Sequence, residues 1–376
     1  MTTNVVNAGL AAAPKQINLF GLDREQLRAR FAEMGEKPYR ADQIMLWIYR
    51  RGRNSFDEMT NIGKELRIKL AQHFVIRTPE LVTEQVSTDG TRKWVLRLDG
   101  GNAIETVYIP EEGRATLCIS SQVGCAMDCS FCSTAQQGLN RNMTTAEIIA
   151  QVWFAARTLG GDFQNDRVIS NIVFMGMGEP LANYAAVLAA IRILLDDFGF
   201  GLSKRKVTVS TSGLVPFMDR LREEVDTALA VSLHAPNDAL RNELVPINRK
   251  YPIADLLAAC RRYTAGKDRK AHIVYEYVML DGVNDKPEHA RELAKLLGGM
   301  SAKVNLIPFN PFPGAPYQRS KPETIAAFSK ILRDRKVFAT TRRTRGDDID
   351  AACGQLVGKV ESKQKNRLRG IPVAVQ

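Results

Sequence analysis

From residue 111 to residue 345 the sequence alternates between short runs rich in β-branched residues and longer runs with helical periodicity. No other feature limits the fold as strongly. Strands are expected at 115–120, 169–175, 206–210, 228–233, 273–280, 303–308 and 337–341. Helices are expected between most of them, at 145–158, 184–195, 216–221, 253–263, 288–297 and 323–335. Repeated β-α units bury a parallel sheet under their own crossover helices, with right-handed connections. The expected class is therefore α/β, and about six units suit an open (β/α)6 partial barrel better than a closed eightfold one.

The segments that follow these strands are polar and glycine-rich. They read CISSQVGC, MGMGEP, STSG, SLHAPND and IPFNPFPG. In parallel sheets and barrels the C-terminal strand ends form the working face, so five distant segments should meet at one mouth.

Ahead of the barrel, residues 17–80 read as a small basic helical module, carried by KPYRADQIMLWIYRRG and IGKELRIKLAQHF. Residues 81–110 alternate as a connecting β-hairpin turning at Asp99-Gly100-Gly101. Residues 1–16 read as a loose tail and not a signal peptide, because no basic n-region precedes an apolar core. Residues 346–376 read as a loop followed by a basic tail. No apolar run approaches the ~20 residues needed to cross a bilayer.

Composition matters chiefly through charge. The formal net charge is +11, concentrated at Arg50, Arg51 and Arg53, at Lys204, Arg205 and Lys206, at Arg342, Arg343 and Arg345, and at Lys359, Lys363, Lys365, Arg367 and Arg369. Clusters of this kind favour a polyanion, since each neutralised phosphate releases counterions.

Four of the six cysteines, Cys118, Cys125, Cys129 and Cys132, fall within fifteen residues; the others are Cys260 and Cys353. In a long chain without a secretion signal this points to metal or redox chemistry in a reducing, cytoplasmic compartment, not to a disulfide scaffold. Cys125-Ala-Met-Asp-Cys129-Ser-Phe-Cys132 has the spacing C-x3-C-x2-C. Three thiolates on one tight loop can hold three irons of a cubane cluster and leave the fourth open. A structural zinc is the alternative, with Cys118 recruited as the fourth ligand such sites want.

The cysteine loop, placed after a first β-strand, resembles that of the radical S-adenosylmethionine superfamily. The likeness extends further. SSQVGC, FCSTAQQG, MGMGEP, GLSKRKVTVSTSG, SLHAPND, NPFPGAPY and TRGDDIDAACGQL together resemble the bacterial dual-specificity RNA methyltransferases that methylate C2 of adenine, over residues 18–358.

The resemblance implies a [4Fe–4S] cluster on Cys125, Cys129 and Cys132, and S-adenosylmethionine bound at Gly178, Glu179, Ser210, Ser232, Leu233, His234 and Asn310. Two cofactor molecules would serve each turnover, one as methyl donor and one as radical source. Cys353 matches the methyl-carrying cysteine, Cys118 its resolving partner and Glu105 the proton acceptor. The implied course is S-methylation of Cys353, generation of a 5′-deoxyadenosyl radical, a covalent RNA–protein intermediate, and release through a Cys118–Cys353 disulfide. The implied substrates are an adenine of 23S rRNA at the peptidyl transferase centre and the adenine 3′ of the tRNA anticodon. An electron donor such as flavodoxin and a monomeric enzyme complete the expectation.

Two rivals stand beside this reading. A related enzyme that methylates C8 of the ribosomal adenine and confers antibiotic resistance shares the cluster and both cysteines. A non-catalytic metal-stabilised RNA-binding protein would need neither Cys353 nor Glu179. Taken singly, Glu105 reads as a solvated hairpin charge, and Cys260 as a small buried residue. His234 alone reads as a structural histidine. Asp347, Asp348 and Asp350 read as a loop positioning Cys353, with no metal assigned.

Overall fold

The structure is a computed structural model and describes residues 16–161, 168–267 and 272–358. The tail through residue 15 and the basic cluster from Lys359 onward lie outside the described residues.

Among the described residues, ten strands form one sheet whose spatial order follows the chain. They are β1 (Glu80–Val86), β2 (Arg92–Arg97), β3 (Ala103–Glu111), β4 (Arg114–Cys118), β5 (Asn171–Phe174), β6 (Val207–Thr211), β7 (Ala228–Ser232), β8 (Ile273–Met279), β9 (Ala302–Pro308) and β10 (Phe338–Thr341). From β4 to β10 every pairing is parallel, and six helical crossovers join these strands. The (β/α)6 expectation is borne out. A strand such as β5 needs no alternation, because both faces are covered; all four of its residues are buried.

The expected hairpin connector is larger than its sequence suggested. β1, β2 and β3 form an antiparallel meander that pairs with β4 and so continues the barrel sheet. Gly100 and Gly101 make the β2–β3 turn with positive φ, as their position predicts. The β1–β2 turn at 87–91 holds the loop carrying Cys353.

The N-terminal module consists of α1 (Arg24–Glu33), α2 (Tyr39–Met45) and α3 (Lys64–His73), closed by a short parallel pairing of Ile17–Asn18 with Phe74–Val75. Asp23 caps α1 by accepting from Gln26 N, and the Gln26 side chain accepts from Asp23 N in return. The module docks onto α4 (Thr145–Thr158), the first crossover helix. Trp153 Nε1 donates to Ile48 O at 2.9 Å, and the rings of Phe20 and Trp153 lie 5.7 Å apart. Phe20 is fully buried, and Tyr49 packs at 5.0 Å against Phe200 of the barrel.

Candidate active site

The five polar segments do meet. A cavity of about 160 Å³ at the C-terminal strand ends is lined by Cys125, Cys129 and Cys132, by Gly178 and Glu179, by Ser210, Ser232 and His234, and by Asn310 and Cys353. Leu233 is the exception among the expected cofactor residues. It is fully buried and does not line the cavity, because its neighbours Ser232 and His234 take the inward positions. Its carbonyl instead accepts from Arg241 Nε at 3.1 Å.

Local geometry shapes the cysteine loop. Gly124 sits at φ 80°, where a Cβ would run into the carbonyl oxygen of Gly138. That close approach is used: Cys125 N donates to Gly138 O at 3.0 Å, which starts the turn into the loop. Cys132 N donates to Cys129 O at 3.1 Å and closes it. Burial pushes the Cys125 thiol up to about 12, and pushes Cys129 and Cys132 up as well. Cys129 is raised further by its two cysteine neighbours.

Thiols crowded this way stay protonated unless a cationic group shares their charge. Among the described residues no three His, Cys, Asp or Glu side chains converge tightly enough to hold a single ion. The three cysteines instead rim a cavity, which fits an iron–sulfur cluster whose own sulfides fill the space and does not fit a four-ligand zinc.

Glu179 is 4% exposed and fixed in direction. One carboxylate oxygen accepts from Leu181 N at 3.0 Å; the other accepts from Ser212 N at 2.8 Å and Ser212 Oγ at 2.9 Å. Burial raises its pKa, and these hydrogen bonds work against that rise. A carboxylate so placed suits an ammonium group in the cavity.

His234 accepts from Val278 N at Nδ1, 3.0 Å away, so its proton sits on Nε2. Burial first, and then the Arg241 charge, push its pKa down to about 3. His234 is therefore a neutral donor at a strand end, more than a passive core histidine.

Cys353 enters the cavity on a loop tied down at several points. Asn310 Nδ2 donates to Cys353 O at 3.4 Å, and Ser133 N donates to Gly354 O at 2.8 Å. Ser87 Oγ and Thr88 N both donate to the Asp348 carboxylate, Gly346 N donates to Asp89, and Lys93 Nζ donates to Asp350 O. The loop aspartates thus anchor Cys353, in keeping with their sequence reading.

Cys118 ends β4 behind the cavity wall. Burial pushes it up to about 12, and the next contribution comes from Cys353, so the two thiols lie within electrostatic reach. Both are free thiols.

Glu105 is not a solvated hairpin charge. It lies in the middle of β3, 4% exposed, because the meander is covered by the loop after Cys353. Its Oε2 accepts from Val357 N at 3.4 Å. Burial raises its pKa above the ordinary carboxylate range, against the pull of Lys93. It stands beside the catalytic loop and does not line the cavity.

Three polar side chains at the site escaped the sequence reading. Arg241 is fully buried and donates to the carbonyls of Ser212, Ser232 and Leu233, stapling the ends of β6 and β7. Glu276 of β8 lines the cavity. Arg342, read from sequence as part of a phosphate-binding cluster, turns inward and donates from Nη1 to Cys353 Sγ at 3.0 Å. Its place one step past β10 is the one signal that could have pointed there, since the ends of β5 to β9 all carry cavity residues.

The chain is similar to known proteins over nearly its whole length. Residues 17–76 match the family described as the ribosomal RNA large subunit methyltransferase N-terminal domain, and residues 119–296 match the radical SAM superfamily. A dual-specificity RNA methyltransferase RlmN of Alkalilimnicola ehrlichii is 59% identical over 94% of this chain and 97% of its own length. The protein of the same name from Alcanivorax borkumensis is 56% identical over 95% and 94%. The crystal structure of a radical SAM methyltransferase from Sphaerobacter thermophilus superimposes with a TM-score of 0.85 at 48% identity, covering 91% of this chain and all of that one.

Proposed function

Because the chain belongs to the dual-specificity RNA methyltransferases of the radical S-adenosylmethionine superfamily, we propose that it methylates C2 of adenine in 23S rRNA and in tRNA, with Cys353 as the methyl carrier. That it is an S-adenosylmethionine-dependent RNA methyltransferase is the premise; the position methylated and the residue roles are the proposal. The observation that carries it is the meeting of Cys353 with the cysteine loop, Glu179 and His234 in one cavity.

C2 of adenine lies between two ring nitrogens and is too electron-poor to attack a sulfonium methyl as a base nitrogen would. Cys125, Cys129 and Cys132 would hold a [4Fe–4S] cluster, which when bound supplies the electron for making a 5′-deoxyadenosyl radical from S-adenosylmethionine. Glu179 would receive the cofactor's ammonium, and Ser210, Ser232, His234 and Asn310 would orient the remainder. Cys353, as a thiolate, accepts the first methyl at sulfur. Its anchored loop then presents that methyl to the cavity, and later to C2 of the base.

Release needs a base and a second thiol. Glu105, whose pKa burial raises, adjoins the loop that the RNA adduct would occupy and would serve as that base. Cys118 would attack Cys353 sulfur and form the disulfide that frees the methylated base.

The target base must leave its stack to reach this cavity. The N-terminal module and the barrel's basic residues would grip phosphates without reading sequence. Some module cations already have protein partners: Arg51 stacks over Trp47, and Arg53 pairs with Glu58 at 2.9 Å. A flavodoxin-like reductant, a monomeric state and a cytoplasmic location belong to the same reading.

The test is anaerobic reconstitution with iron, sulfide, S-adenosylmethionine, reductant and rRNA or tRNA fragments, followed by mass spectrometry of digested nucleosides. 2-Methyladenosine is the expected product. 8-Methyladenosine would move the chain to the resistance-type activity, and unmodified adenosine in both RNAs would overturn the assignment.

A further inference from the structure

A row of polar side chains runs across three strands toward Cys353. The register pairs Glu276 of β8 with Asn305 of β9, and Asn305 with Thr340 of β10. Asn305 Nδ2 donates to Glu276 Oε2 at 2.8 Å, and Thr340 Oγ1 donates to Asn305 Oδ1 at 3.5 Å. Arg342 lies two residues past Thr340 and so on the same face of the strand. Its backbone N–H donates to Leu306 O at 2.8 Å, which carries the β9–β10 pairing one step further. The guanidinium then reaches Cys353 Sγ at 3.0 Å.

We propose that Arg342 is the positioning residue that aims the Cys353 sulfur into the cavity. The inference rests on the assignment of Cys353 as methyl acceptor.

An anionic sulfur and a guanidinium at this distance form a charge-assisted hydrogen bond, stronger than the bond a neutral thiol accepts. The protonated state of Arg342 is favoured first by Cys353, then by Glu276 and Cys118. The other groups facing Cys353 work against its charge. Cys118 approaches from the end of β4 and Cys132 from the cysteine loop, and both interact with it as like charges. Glu276 lines the same cavity, and burial raises its pKa against the pull of Arg342 and Asn305.

The chemistry needs such a cation for one step at a time. When Cys353 takes a methyl, its sulfur lone pair forms the new S–C bond while the sulfonium's C–S bond breaks, leaving a neutral thioether on each side. Arg342 then has no anion at Cys353, and its remaining thiol neighbour is Cys118.

Alkylation of Cys353 tests this without RNA or S-adenosylmethionine. Anaerobic, cluster-loaded protein whose Cys353 peptide has the unmodified mass is treated with iodoacetamide between pH 6 and 10, and labelling of Cys353 is followed by peptide mass spectrometry. Arg342→Gln should slow labelling at pH 7 about tenfold. Arg342→Lys should restore most of the wild-type profile, because it returns the charge.

Wild-type profiles in both variants would overturn the proposal, and so would a lysine variant as slow as the glutamine one. If Arg342→Gln fails to load its cluster, the lysine variant is compared with wild type alone, and a tenfold loss there overturns the proposal as well. Failure here leaves the RNA assignment standing. Failure of nucleoside methylation with a wild-type alkylation profile sinks that assignment instead.

Discussion

At the scale of single residues, the site depends on groups whose ordinary behaviour has been altered by burial. His234 shows this most simply. Its folded pKa is pushed down to about 3, against about 6.5 unfolded, so below pH 6.5 the unfolded chain binds more protons. The stability it contributes is full above 6.5 and is lost as pH falls from there toward 3. In the cofactor-free protein, His234 imidazole signals should stay unchanged from pH 7.5 to pH 5 by NMR; a midpoint near 6.5 would contradict its buried, Nε2-protonated state. Gly124 is a different case, because its constraint is steric. Gly124→Ala should cost about 1–3 kcal/mol and reduce iron bound per chain, since the turn into Cys125 cannot form beside the Gly138 carbonyl. Full iron loading in that variant would show that the turn tolerates a side chain.

At the scale of elements, the hairpin turn between β1 and β2 works as a clasp on the catalytic loop. Asp89 is held near pKa 2 by hydrogen bonds from Thr91, Gly346 and Ser87. Its contribution is complete above the ordinary carboxylate pKa and is lost only as pH falls through about 2, so the clasp stays closed throughout the neutral range. Asp348→Ala removes the acceptor for Ser87 Oγ and Thr88 N. That change should make the loop at 346–358 cut faster by protease and lower kcat several-fold, with KM for RNA little altered. Unchanged proteolysis and kcat would mean the loop holds itself.

The barrel strands and helices were legible in the sequence because each is an apolar run bounded by turn residues; 145–158 and 184–195 match α4 and Tyr184–Leu195 end to end. The clasp was not legible, since its partners lie some 260 positions apart. Arg342 was misread for a related reason. It sits among Arg343 and Arg345, and composition cannot tell an arginine facing a cavity from one facing solvent. Glu105 escaped its ordinary reading because a distant loop covers it.

At the scale of the molecule, the module and the barrel share one apolar core. Phe20, Tyr49, Trp153 and Phe200 interlock across the junction. Phe20→Ala should cost about 3–5 kcal/mol and lower a single, cooperative unfolding transition; two separate transitions in the wild-type chain would contradict a shared core. The account's central claim spans much of the chain, because the end of β4 and the loop after β10 must bring Cys118 and Cys353 to one RNA base. The direct measurement is peptide mass spectrometry of reconstituted Cys118→Ala protein after turnover with tRNA and nuclease digestion. With no thiol to release it, a nucleotide should remain attached through one carbon to the peptide bearing Cys353. An unmodified Cys353 peptide alongside free methylated adenine would contradict the account.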